Sequence, residues 1–370
     1  DTLHELARER LRRTGRERDR RERHLRFYVE LLAAAEPEIA GGRYAEWNSF
    51  FDAEYPNVLA ALTFALEIDP EAALRIAIVS RFFWYFHGHL AEGRRMLESA
   101  LAGASDPPAE RRVRALNGLG VLAGEQRDFA SAQRFLSESY ETAQVHGWRV
   151  EAAKSLTNLG LLAHYDGDLA RSQDLLERAV ALQDELGNVR GKGIALKNLG
   201  GLLSRRGELD RASELLETSL ECARASDDAH EISTALRALS RILVLRGHVT
   251  RACELVEESL EQASRHGSRF GLVESLEVWA GVFAEEGDLE TSAILFGAAE
   301  VERETTGASP SPPQENWCTG WRSFLRQRLG DRELEKALHR GRLTPAAVAM
   351  ELARSKRPAR QSQVATPREE

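Results

Sequence analysis

The residues that could do chemistry are scattered along this chain. Gly187-Asn188-Val189-Arg190-Gly191-Lys192-Gly193 comes nearest to a phosphate-cradling loop, in which glycines let backbone N–H groups wrap an anion that a lysine neutralises. It is one residue short between its glycines, has no Ser or Thr after the lysine, and follows a helical pattern where such loops follow a strand. His87 and His89 stand two apart at a turn, with no carboxylate or thiolate cluster beside them in sequence, which is too little for a metal site. Cys222, Cys253 and Cys318 are odd in number and form no CxxC pair. That argues against a disulfide framework and against zinc, and fits a reducing, cytoplasmic setting. No HExxH, GxSxG or GxGxxG occurs, and the carboxylates alternate with Arg and Lys as on solvated helix faces. The chain carries no catalytic motif, so a non-enzymatic role with no metal and no cofactor of its own is the expectation.

Charge narrows the partners. A net charge of −8 and a pI near 5.8 give no global attraction to nucleic acid or anionic membrane. Residues 8–26 do hold ten arginines against Glu9, Glu17, Asp19 and Glu22. Interleaved acids, and the absence of aromatics before Phe27 and Tyr28, make that run a solvated helical face. No apolar stretch approaches the roughly 20 residues that span a bilayer, and no signal peptide opens the chain. No membrane partner is expected.

The elements that position everything else are repeats. Gly167, Gly207, Gly247 and Gly287 open near-identical phrases at a period of 40, such as Asp166-Gly167-Asp168-Leu169-Ala170-Arg171-Ser172. Arg127-Asp128-Phe129-Ala130-Ser131-Ala132 is a fainter copy. Small residues recur at 120, 160, 200, 240 and 280, at 132, 172, 212, 252 and 292, and at 139, 179, 219, 259 and 299. A large apolar residue stands between the last two series, at Leu136, Leu176, Leu216, Val256 and Phe296. Small residues at fixed phase let two helices approach closely while the large one fills the gap, so each unit predicts a pair of helices in a stacked array.

This pattern resembles the tetratricopeptide repeat, with its core of about 34 residues extended by a few more. It departs from the consensus at Ala163 and Leu203, where an aromatic is usual, and at Asp184, where a late proline is usual. The resemblance implies an all-α fold, a right-handed superhelical solenoid of tetratricopeptide-like helical hairpins. In that family the first helix of each pair lines a concave groove. The positions implied to face it are Lys154, Thr157, Asn158, Lys197, Asn198, Arg237 and Arg241. Amides can bond a peptide backbone in both senses and cations can pair a carboxylate, so a peptide or a small anionic effector is the implied guest.

The flanks carry a second resemblance. Asp1-Thr2-Leu3-His4-Glu5-Leu6-Ala7-Arg8-Glu9-Arg10-Leu11 is similar to the end of the winged-helix segment in bacterial regulators of the signal-transduction ATPase class. Arg23-His24-Leu25-Arg26-Phe27-Tyr28, the stretch Glu54–Leu62 and the stretch Trp84–Arg95 continue it, as does Leu295-Phe296-Gly297-Ala298-Ala299-Glu300. Thr366-Pro367-Arg368-Glu369-Glu370 resembles the opening of a LuxR-type helix-turn-helix domain. Pattern and resemblance together imply these regions: 1–36, the end of the winged helix and connecting helices; 37–109, atypical repeats, with breaks at Glu36-Pro37 and Gly41-Gly42; 110–304, the array; 305–353, a helical cap; 354–370, a linker. It further implies a parent with an ATPase domain using ATP and Mg, DNA contact only through a domain beyond the linker, and ligand-driven homo-oligomers. The same array in a stand-alone adaptor or chaperone-type scaffold, or in a cyclase or kinase regulator, is the alternative.

Overall fold

A computed structural model of the chain describes residues 16–265, 268–306 and 310–356. Every regular element among them is a helix, and none is long and apolar enough to cross a membrane. The Asp1–Leu11 and Thr366–Glu370 resemblances and nearly all of the expected linker lie outside the described residues. The helices form two compact units. One comprises the described residues up to 206 together with 215–232, and the other 207–214 with those from 233 on.

The first unit opens with α1 (Glu17–Ala40), α2 (Tyr44–Ile68), α3 (Pro70–Phe86) and α4 (Leu90–Gly103). The expected break at Glu36-Pro37 is not there. Pro37 lies in the last turn of α1, and the helix stops at Gly41-Gly42, where Gly42 takes φ +108°. Asp69 caps α3 by accepting from the Ala72 N–H at 3.0 Å, with Pro70 in the first turn. Phe51 and Trp84 are fully buried between these helices, and the Trp84 Nε1–H donates to Tyr55 Oη at 2.8 Å. A Cβ on Gly93 would come within 2.5 Å of the Trp84 ring, so α4 can pack there only because it carries glycine.

The hairpins follow as α5 (Ala109–Glu125) with α6 (Phe129–Val145), α7 (Arg149–Asp166) with α8 (Leu169–Glu185), and α9 (Val189–Arg205) with α10 (Leu209–Ala225). The first two are closed by the small-against-large contact that the period predicts. A Cβ on Gly120 would meet Leu136 at 2.4 Å, and one on Gly160 would meet Leu176 at 2.6 Å. The serines among the small positions do more than save space. Ser172 Oγ donates to the Gly160 carbonyl, and Ser139 and Ser219 donate to the carbonyls of Val113 and Gly193, so the helix pairs are hydrogen-bonded as well as packed.

Two series of left-handed turns connect the helices. Gly167, Gly207, Gly247 and Gly287 belong to the first, and Arg127 takes the same conformation at φ +60°. The second series lies 20 residues away, at Gly147, Gly187 and Asp227, the last at φ +51°. After five of these turns an Asp or Asn caps the next helix: Asp128, Asp168, Asn188, Asp228 and Asp288 accept from backbone N–H groups three residues on. This explains Gly187-Asn188-…-Gly193. It is a turn and cap between repeats, with Lys192 paired to Asp184 at 2.5 Å.

The second unit contains most of α11 (Ala229–Leu245), then α12 (Val249–Arg265), α13 (Arg269–Glu286) and α14 (Leu289–Thr306), continuing the repeat. It ends with α15 (Pro312–Leu329), α16 (Asp331–Arg342) and α17 (Ala346–Ser355). Trp279, Phe283 and Phe296 are buried at its centre. α16 presses on α14 glycine to glycine: a Cβ on Gly297 would lie 2.2 Å from the Leu338 carbonyl oxygen, and one on Gly341 equally close to that of Ile294.

Candidate functional site

The first helices of the hairpins, α5, α7 and α9, present one face to a cavity of about 460 Å³ inside the first unit. The start of α11 completes that wall, and α3 with the α1–α2 turn forms the opposite one. Val121, Leu161 and Ile194 give the array side an apolar floor. Facing them are Tyr44, Phe82 and Phe86, with Tyr44 and Phe86 ring centroids 4.4 Å apart. The Tyr44 hydroxyl is buried without a hydrogen-bond partner among the described residues, and burial followed by the Asp52 charge pushes its pKa far above the usual tyrosine value. It is therefore a neutral donor at any physiological pH.

Most of the polar side chains stand on the array, with Arg81 of α3 the charged exception. Asn158 Nδ2 donates to Asn117 Oδ1 at 3.1 Å, and Asn117 Nδ2 donates to Ser155 Oγ at 3.2 Å. Those two bonds leave the Asn158 carbonyl, and both ends of the half-buried Asn198 carboxamide, without a protein partner among the described residues. A carboxamide donates and accepts from one group, which suits the alternating N–H and C=O of an extended chain. Thr157 also lines the cavity, but its hydroxyl donates to the Ala153 carbonyl of its own helix at 2.9 Å.

The cations implied by the sequence are present and mostly paired. Lys154 Nζ lies 2.9 Å from Glu151, and Lys197 Nζ lies 2.6 Å from Glu231. Burial alone would raise the Glu231 carboxyl, but Lys197, His230 and Arg190 together outweigh it and hold the group below its ordinary value. Arg190 does two jobs. Its Nε donates to the buried Asp228 at 2.7 Å, and its Nη1 donates to the Ala40 carbonyl at 3.2 Å. This fastens the α1–α2 turn to the array, and a Cβ on Gly42 would strike Asp228 at 2.6 Å.

Five of the seven implied residues thus share one cavity: Lys154, Thr157, Asn158, Lys197 and Asn198. Arg237 and Arg241 do not. Arg237 holds the phase of Thr157 and Lys197, and Arg241 that of Leu161, but both lie in the second unit, where Gln314 of α15 stands against Arg241. Arg237 is 3% exposed, pairs with Glu274 at 2.9 Å and donates to Ser233 Oγ at 2.6 Å. Arg241 donates to Gln314 Oε1, and Gln314 Nε2 in turn donates to Glu277. Desolvation is the reason: under a covering helix, an arginine stays charged only by pairing with carboxylates. His87 and His89 are likewise engaged. His87 Nε2 is 2.9 Å from Asn48 Oδ1, and His89 stacks on Tyr55 and Phe83. Among the described residues no group of His, Cys, Asp and Glu could hold a metal.

Sequence reasoning missed Arg81, Asn117, Arg190, Asp228 and Glu231. Asn117 lies one residue out of phase with Asn158 at the period of 40, so a phase count passes over it. The other four become wall residues only once α3 and the α1–α2 turn are seen to face the array.

The comparisons with known proteins agree with this architecture. A tetratricopeptide repeat model matches residues 151–225 and 192–265. No curated protein matches the chain. Among solved structures, a Rap protein complexed with competence and sporulation factor aligns with TM-score 0.54 at 12% identity, over 87% of this chain and 99% of that one. The Rap conjugation gene regulator of the plasmid pLS20, in complex with the Phr* peptide, aligns with TM-score 0.55 at 12% identity, over 82% of this chain and 97% of that one. At such identities the likeness shows the fold. The chain is an all-α tetratricopeptide-type solenoid.

Proposed function

We propose that the first unit binds a linear peptide in its cavity, and that the chain is the protein- or peptide-binding sensor scaffold of an ATP-dependent bacterial transcription regulator. The observation that carries the binding reading is the cavity itself, with the Asn158 side-chain carbonyl and the Asn198 carboxamide unengaged among the described residues over an apolar floor. A few converging polar groups in a mainly apolar concavity are the usual marks of a ligand site. Two Rap proteins of similar fold, one complexed with competence and sporulation factor and one with the Phr* peptide, favour the same reading. The regulator reading is supported by the flank phrases given above. In it, the occupant binds one state of the scaffold better than another and so restrains or releases the ATPase and DNA-binding domains, because only differential affinity can shift such a balance.

The test is selection from a random peptide display library on the purified chain, followed by calorimetry on Asn158→Ala with Asn198→Ala. The double variant should lose about tenfold or more in affinity, since each lost amide contact is worth about 0.5–1.5 kcal/mol. Unchanged affinity refutes the cavity reading. The regulator reading is tested separately in the genome, where a phosphate-loop motif upstream and a helix-turn-helix downstream should share the reading frame.

A further inference from the structure

Arg81 differs from the other cations of the cavity. Lys154, Arg190 and Lys197 each hold a carboxylate. Among the described residues, Arg81 makes no ion pair. Its Nη1 donates to the Ile78 carbonyl, and its guanidinium lies over the Phe82 ring, 4.2 Å from the centroid. A guanidinium has five N–H donors in a fixed fork, so most of them remain for another acceptor. The side chain is held in place from behind: its Cδ would be 2.7 Å from a Cβ on Gly118, a contact open only to glycine.

The surroundings leave an uncompensated positive charge. Two ion pairs flank Arg81: Arg114 with Glu36, and Lys154 with Glu151. Three cations therefore stand with two carboxylates around Arg81; Glu125, a further carboxylate of the lining, is two helical turns along α5 from the Gly118 that meets Arg81. At the other end, on α9 and α11, Arg190 and Lys197 are matched by Asp228 and Glu231. Burial, with the Arg114 charge adding to it, pulls the Arg81 pKa down to about 10, so the group is still charged at neutral pH although poorly solvated. A desolvated guanidinium with open donors beside an apolar floor gains most from a carboxylate, which accepts two parallel N–H bonds.

We propose that Arg81 is the anchor for the C-terminal carboxylate of the bound peptide, whose last apolar side chains lie on the Val121 and Leu161 floor. This rests on the peptide reading of the cavity and adds which end of the peptide enters and where. Asn117 and Asn158 stand on α5 and α7, next to Arg81 along the stack, and the Asn158 carbonyl can accept the last backbone N–H. An internal peptide segment or an amidated end leaves the guanidinium unmatched.

Two dyes that share a ring system isolate the charge: 1-anilinonaphthalene-8-sulfonate, an anion, and N-phenyl-1-naphthylamine, which lacks the sulfonate. Both are titrated by fluorescence into the full chain, into Arg81→Gln and into Arg81→Lys. The anion-to-neutral affinity ratio should fall at least tenfold in Arg81→Gln and stay within threefold in Arg81→Lys. Because it is a ratio, general damage to the cavity cancels, and an unmoved ratio in Arg81→Gln overturns the proposal. Displacement of the anionic dye from the unaltered chain by N-acetyl-Leu-Phe should then be at least tenfold better for the free acid than for the C-terminal amide. Equal displacement by acid and amide also overturns it. If display-selected peptides bind but acids and amides compete alike, the anchor is refuted and the peptide reading stands. If Arg81 governs anion binding and N-acetyl-Leu-Phe acid competes, while no longer peptide is captured, the anchor stands and the sensor reading fails.

Discussion

Gly160→Ala tests the packing logic of the array at one atom. The added Cβ would lie 2.6 Å from Leu176 Cγ and 2.8 Å from its Cδ2, where ordinary contact begins at 3.4 Å. Something must yield by nearly an ångström. Leu176 is fully buried and packed with Leu199 and Leu202, so it has no free volume to move into. Overpacking of this kind costs about 1–3 kcal/mol. Replacing a helical glycine by alanine returns about 1 kcal/mol through backbone entropy. The net expectation is a loss of about 0–2 kcal/mol. Gly124→Ala is the internal control, because its Cβ would sit 3.7 Å from Leu162 and 3.9 Å from Ala132, in ordinary contact. It keeps the propensity gain alone and should stabilise by up to about 1 kcal/mol. Urea unfolding followed by circular dichroism should therefore move the two midpoints in opposite directions. Equal midpoints for the two variants would mean that Gly160 is no close-packing site, and the explanation of the 40-residue phase would fall with it.

Other expectations follow from single groups. Arg127 and Asp227 hold left-handed conformations that the equivalent turns fill with glycine, so Arg127→Gly and Asp227→Gly should each raise stability by about 1 kcal/mol in the same unfolding assay. His164 is 3% exposed, and burial, with Arg205 adding to it, lowers its pKa from 6.5 to about 4. The unfolded chain therefore takes up a proton that the native state refuses. Stability should be full above about pH 6.5 and fall as the pH drops toward 4, by up to about 3 kcal/mol, with His164→Leu flattening that limb of a melting-temperature profile. Tyr44 and Tyr55 make a matched pair. Tyr44→Phe removes a buried hydroxyl without a partner and should be neutral or stabilising by about 1 kcal/mol. Tyr55→Phe breaks the links from Trp84 and to Glu92 and should destabilise by about 1–2 kcal/mol in thermal unfolding.

How much of this was legible in the sequence depends on the range of the interaction involved. Gly120 and Gly160 were readable because a hairpin closes over a fixed separation, so the small residue and its large partner recur in phase. Gly187-Asn188 was legible as a loop but not as a cap, because its partner is a backbone N–H and leaves no side-chain signature. The second series of left-handed turns escaped notice because Asp227 stands where Gly147 and Gly187 set the pattern. Inside the cavity the limit is different. Phase identified Thr157, Lys197 and Arg237 as equivalent positions, and within an ideal repeat they are. What separates them is what stands opposite: α3 and the α1–α2 turn leave a space before Lys197, while in the second unit Glu274 of α13 pairs with Arg237 and Gln314 of α15 accepts from Arg241. α3, the α1–α2 turn and α15 do not belong to the repeat, so no period could announce them. The same reasoning explains why Arg81 was passed over and why it matters. It is contributed by the irregular helices to a wall the array builds, and its neighbours Glu36 and Glu151 are already taken by Arg114 and Lys154. A repeat can specify where a groove runs. Which charge in it stays unmatched is decided by the parts that do not repeat, and specificity for an occupant is therefore to be sought at Arg81 before the array's own cations.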